Sequence, residues 1–160
     1  LNTGHFKTSR KRYLDEAAAK TLYSKATSLD DQPGQWPPTD TGSSGLAVSK
    51  AGVQLGYLTG YQHAFGFDQF IGAIQLSPVI VGTTWYEDMF NPSKGYLNVS
   101  GAVAGGHEYL VLGANLRGRY VTMLNSWSKA WGVNGRARIR FADFQRLLNE
   151  DGDVTIPLGK

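Results

Sequence analysis

Asn125-Ser126-Trp127-Ser128-Lys129-Ala130-Trp131-Gly132-Val133-Asn134-Gly135 is the stretch from which the rest of the chain can be read. It joins two segments with strand character: residues 119–125 (RYVTMLN) before it, and residues 136–141 after it, where charged and smaller residues alternate. Further upstream, residues 107–113 (HEYLVLG) read as a strand antiparallel to 119–125 across a turn at 115–118. A histidine therefore opens one strand and an asparagine closes its neighbour.

Working outward toward the C-terminus, residues 142–149 predict a short helix and residues 154–156 a last strand. Toward the N-terminus, Val79-Ile80-Val81 reads as a buried strand running to Trp85-Tyr86, and residues 87–106 read as glycine-bearing loop. Residues 67–75 predict a helix ended by Ser77-Pro78. Residues 44–58 predict an amphipathic helix. Ser44, Ala47, Val48, Ala51, Leu55 and Leu58 fall on one side of it, and Gly60 is the expected stop. Residues 28–44 are rich in turn formers (Pro33-Gly34, Pro37-Pro38), a long connection of the kind often tied to function. Residues 13–27 predict a helix from their alanines. Residues 1–12 read as a basic arm with Lys7, Arg10, Lys11 and Arg12. The expected organisation is thus arm and helix over 1–27, then one α+β domain over 28–160.

Composition narrows the chemistry. The 160 residues contain no cysteine, so disulfides, thiolate–metal sites and thiol nucleophiles are excluded for this chain. Lys and Arg number 16 against 13 Asp and Glu, and a net charge of +3 is too mild to argue for nucleic acid, which is not the expected partner. No apolar run reaches the length of a membrane span, and no apolar stretch follows the N-terminal cations as a secretion signal requires. Three histidines offer no metal-ligand spacing, and no glycine-rich phosphate loop follows a strand, so neither metal nor cofactor is expected.

Three segments taken together, Gly42-Ser43-Ser44-Gly45-Leu46-Ala47-Val48-Ser49, Gly106-His107 and the Asn125–Gly135 stretch, resemble the papain family of cysteine peptidases. The resemblance covers roughly residues 31–140 and is specific in its C-terminal part. It implies a papain-like α+β fold in reduced form, with a central helix from Ser44 packed on an antiparallel sheet. It also implies the base role for His107, the orienting role for Asn125, and a shielding indole at Trp127 with Trp131 beside it. Ser44, or on another alignment Gly45, stands where the family has its cysteine. Thr41 stands where its oxyanion glutamine would be, and Gln35 lies farther back.

These departures have physical consequences. A thiol is partly ionised at neutral pH and its thiolate is a strong nucleophile, whereas a serine hydroxyl must lose its proton to the base as it attacks. Losing an oxyanion donor costs a further ~3 kcal/mol. The expectation is a catalytically inactive papain-like domain that binds a protein or peptide partner or serves a structural role. By resemblance to phage and prophage proteins, that role would lie in a virion or its assembly, placing the chain in a virion or the bacterial cytoplasm. Two alternatives stand beside it: an acyl-transfer hydrolase using Ser44, His107 and Asn125, and a cysteine peptidase whose nucleophile was replaced by serine.

Overall fold

The computed structural model describes residues 14–159, so the cations of the expected basic arm lie outside the described residues. In chain order the elements are α1 (Glu16–Thr27), α2 (Gly45–Gln54), β1 (Gly60–His63), α3 (Gly66–Ile74), β2 (Val79–Tyr86), a 3-10 turn (Glu87–Phe90), β3 (Val103–Asn115), β4 (Tyr120–Leu124), β5 (Arg136–Arg140), α4 (Phe141–Asn149) and β6 (Asp153–Leu158). They fall into two compact units, one holding the residues up to Gln62 with those from Pro157 onward, the other spanning His63–Ile156.

In the first unit, α1 starts where the Asp15 carboxylate accepts the Ala18 amide, and Glu16 and Lys25 sit at the ends that the helix dipole favours. Ala26, Ala47 and Ala51 form the buried contact between α1 and α2, edged by Leu22, Leu29 and Val48. Side chains this small let two helices approach closely. The connection between them is tied down. Tyr23 donates its hydroxyl to Asp40, which also accepts the Gly42 amide, and the Trp36 amide donates to Thr27 Oγ1 at 3.1 Å. Burial and the acidic neighbour push the Tyr23 phenol up to about 12.

Helix α2 is shorter than the sequence pattern suggests. It ends at Gln54, and Gly56 takes φ +72°, a left-handed conformation that closes the helix before Gly60 is reached. Leu58 instead folds back over Gly52, where a Cβ would stand 2.9 Å from Leu58 Cδ1. Its place on the expected apolar stripe therefore reflects packing after the helix rather than within it.

The second unit is built on the sheet, whose full strand order is β1-β6-β2-β3-β4-β5. Pairing is antiparallel between β2 and β3, β2 and β6, β3 and β4, and β4 and β5. Val79 and Val81 lie opposite Val111 and Tyr109, which fixes one face as apolar. On that face the core gathers Phe70, Val121, Met123, Ile139, Phe144 and Leu147, all fully buried. Helices α3 and α4 cover it, with Phe70 and Phe144 at 4.6 Å and Phe67 against Phe141 at 5.1 Å. Within this unit the helices that pack on the sheet are α3 and α4, and within the first unit α2 is paired with α1.

Two elements have no counterpart in the sequence reading. Strand β1 is four residues long and joins the sheet through β6. The segment expected as loop over 87–106 contains the 3-10 turn and the first part of β3, which begins at Val103 and continues the pairing with β2 down to Tyr86.

Candidate functional site

Strand β3 carries His107 opposite Thr83 of β2, and Asn125 follows the last residue of β4. Because β3 and β4 are neighbours, Leu110 facing Leu124, the start of one strand and the end of the next come together. His107 Nε2 and Asn125 Oδ1 are 2.9 Å apart. The Asn125 oxygen also accepts the Ser126 amide at 2.8 Å, and that donor can face only an oxygen. Oδ1 is therefore the acceptor for both, so the imidazole must donate from Nε2. That leaves the Nδ1 lone pair on the other side of the ring as the basic atom.

Three aromatic rings set the electrostatics. Trp85 meets the imidazole edge-on at 4.7 Å and Trp127 lies over it at 4.6 Å. Phe90 stacks on Trp127 at 5.3 Å with an interplanar angle of 8°. Trp131 donates its indole N–H to the Phe90 carbonyl at 2.9 Å and packs against Trp127 at 5.7 Å, which fixes the 3-10 turn to the Asn125–Gly135 stretch. Burial holds the His107 pKa below its ordinary value, and the hydrogen bond to Asn125 works against that pull. Burial thus favours the neutral ring, and its Nε2–H is directed to Asn125.

Asn125 is itself buried, its backbone amide bound to the Gly135 carbonyl at 2.9 Å. Gly135 belongs to a tight turn in which the Val133 amide donates to Arg136 and the Gly135 amide to Trp131. The turn at the end of the motif thus places the asparagine at its start. Trp127 and Trp131 stand where the sequence pattern put them. Trp85 is buried in the core and meets the imidazole edge-on. Phe90 was not anticipated; nothing in its local sequence distinguishes it, since its role comes from stacking on a ring 37 positions away.

Ser44 belongs to the first unit, where it is the N-cap of α2. Its hydroxyl oxygen accepts the Ala47 amide at 3.2 Å. Gly45, the alternative position, is the buried first residue of the helix. Thr41 and Gln35 are both exposed on the connection ahead of it. Among the described residues no group of three or more His, Asp or Glu is arranged to hold a metal, and no helix is long and apolar enough to cross a membrane.

Comparison with known proteins bears on the fold. The chain is 32% identical over 135 residues to a cathepsin B-like cysteine proteinase 5 of Caenorhabditis elegans, an alignment covering 74% of this chain and 38% of that protein. It is 35% identical over 65 residues to a cathepsin B-like cysteine proteinase of Schistosoma japonicum, covering 39% and 19% respectively. Among solved structures, xylellain, a cysteine protease from Xylella fastidiosa, superimposes with a TM-score of 0.57 at 17% identity, covering 81% of this chain and 49% of that one. The bromelain protease from Ananas comosus in complex with the E64 inhibitor gives a TM-score of 0.52 at 19% identity, covering 65% and 52%. No family model matches the sequence. The chain has the papain-like cysteine-protease fold, α+β with helices packed against an antiparallel sheet, and carries no cysteine. It spans well under half the length of the curated relatives it matches. Cysteine-peptidase chemistry, which requires a thiolate, is not available to this chain.

Proposed function

We propose that this chain is a catalytically inactive papain-like domain that binds a protein or peptide partner. The observation that carries the reading is the His107–Asn125 pair, kept at 2.9 Å beneath its indoles in a chain without a thiol for it to activate. A pair roofed in this way is held by packing and hydrogen bonding as firmly as any structural contact, so it has a reason to persist without turnover. Beside it Phe90 is 42% exposed while stacked on Trp127, an apolar surface fitted to a peptide side chain.

The experiment is hydrolysis of peptide, amide and ester substrates together with an active-site serine probe. The expected result is no turnover and no labelling. Stoichiometric labelling of Ser44 that disappears in His107→Ala would establish the acyl-transfer reading with Ser44, His107 and Asn125 in its place. Binding is read in the same samples from the fluorescence of the indoles around His107, which a docked peptide should quench or shift. The proposal extends to a virion or assembly role and to a virion or bacterial-cytoplasm location, supported by the resemblance to phage and prophage proteins. Finding the chain in purified particles supports that extension; finding it in lysate and not in particles removes it.

A further inference from the structure

Strand β5 presents Arg136, Arg138 and Arg140 on one face, because Ala137 and Ile139 between them are buried on the other. Beneath the first two lies a cavity of about 250 Å³, lined also by Lys94, Thr122 and Asn134. None of its lining residues is acidic. The two ion pairs among the described residues, Lys20 with Glu16 and Arg146 with Glu150, involve none of these cations. The Arg136 Nε is buried and has no hydrogen-bond partner among the described residues. An N–H of a charged guanidinium withdrawn from water without an acceptor is costly, and Arg136, which lines the cavity, carries one such unmet donor. Arg138 is held in place by its neighbours, its guanidinium 4.8 Å from the Tyr120 ring and 5.6 Å from Tyr96. A guanidinium placed over a ring keeps its in-plane N–H groups able to donate.

We propose that this cavity binds the tetrahedral oxyanion of a phosphate or sulfate ester. The two guanidiniums and the ammonium are donors only, and Thr122 and Asn134 add a hydroxyl and an amide, so the lining is matched to a group made of acceptors. Val133, 57% exposed at the rim, gives the ester's carbon portion an apolar contact. Arg140 also lies over the Tyr96 ring at 4.8 Å, so the cations of this face are anchored on the same pair of tyrosines.

The test is titration of the intact chain with phenyl phosphate and, separately, phenyl sulfate, following the side-chain Nε–H resonance of Arg136 by NMR. Sodium chloride at equal ionic strength is the control. The expected result is a saturable one-to-one shift with at least one of the two esters. Binding should weaken about tenfold or more in Arg138→Gln and change by less than about twofold in Arg140→Gln, which lies outside the cavity. Saturation by only one ester assigns the source, and saturation by both assigns the shared tetrahedral group. A shift reproduced by sodium chloride, or equal binding by Arg138→Gln and wild type, overturns the proposal. Arg138 is exposed, so its variant keeps the fold and leaves the result readable even where Arg136→Gln unfolds.

Discussion

At Asn125 one oxygen accepts two hydrogen bonds, from a ring and from the next amide in the chain, and everything around the histidine depends on it. Truncating Asn125 to Ala leaves the Nε2–H of His107 buried without an acceptor, and should cost about 1–3 kcal/mol in urea unfolding. Ser44→Ala should cost about 1 kcal/mol, because the hydroxyl caps α2. If Ser44→Ala instead raises stability, the serine is strained for a purpose other than capping. His107 gives a pH prediction with a definite sign. Its folded pKa lies below the ordinary ~6.5, so the unfolded chain binds the extra proton more readily. Stability should fall as pH drops through that value, and His107→Gln should flatten this part of the profile. An unfolding free energy that stays level from pH 7.5 to 5.5 would contradict it. His107 and Asn125 were legible in the sequence because Gly106-His107 and the Asn125–Gly135 stretch resemble the motifs of the papain family. Phe90 and the contact of Trp85 with the ring were not, because a stacked pair distant in sequence leaves no local mark.

Among the elements, the turn that closes the motif is the least tolerant of change. Gly132 has φ +58°, and a Cβ there would overlap the carbonyl oxygen of Arg136, which is backbone and cannot yield. Gly132→Ala should destabilise the chain by about 2 kcal/mol or more and shift the Asn125 and His107 resonances together. Native-like resonances with unchanged stability would show that the turn does not position the asparagine. On the other face of the sheet, Gly82 of β2 lies between Glu108 of β3 and Asp153 of β6, whose carboxylates occupy the space a side chain would fill. Burial raises the Asp153 pKa, opposed by the hydroxyl of Thr155 and the nearby His63. The folded state therefore holds that proton more tightly, and stability is lost as pH rises through the usual carboxylate range. Asp153→Asn should be more stable than wild type at pH 7, with the difference vanishing toward about pH 4. A variant less stable at pH 7 would mean that the charged form is the one the fold favours. Periodicity located most elements but misplaced their ends. Helix α2 stops at a left-handed glycine that its apolar stripe runs past, and β1 exists only because β6 pairs with it.

The molecule as a whole is uneven in how its two units are held. The first has a contact of three alanines edged by a few partly buried side chains; the second buries a continuous set that includes Phe70, Trp85, Met123, Ile139 and Phe144. Buried apolar area scales with side-chain size, so local opening should cost less in the first unit. In hydrogen exchange, amides of 47–51 in α2 should exchange by local opening, and those of Val79, Val81 and Val111 only with global unfolding. Equal protection in both places would show that the units open as one.

The sequence by itself determined the class of fold, the His107–Asn125 pair and the loss of cysteine chemistry, because strand order, a motif of fixed length and the absence of a residue type are all properties of the linear chain. The direction of the histidine's hydrogen bond, the burial that lowers its pKa, the engagement of Ser44 as a helix cap and the gathering of Lys94, Arg136 and Arg138 around one cavity were decided by tertiary structure alone. Each depends on which atoms distant in sequence come within a few ångströms of one another, and burial, not residue identity, sets what those atoms then do.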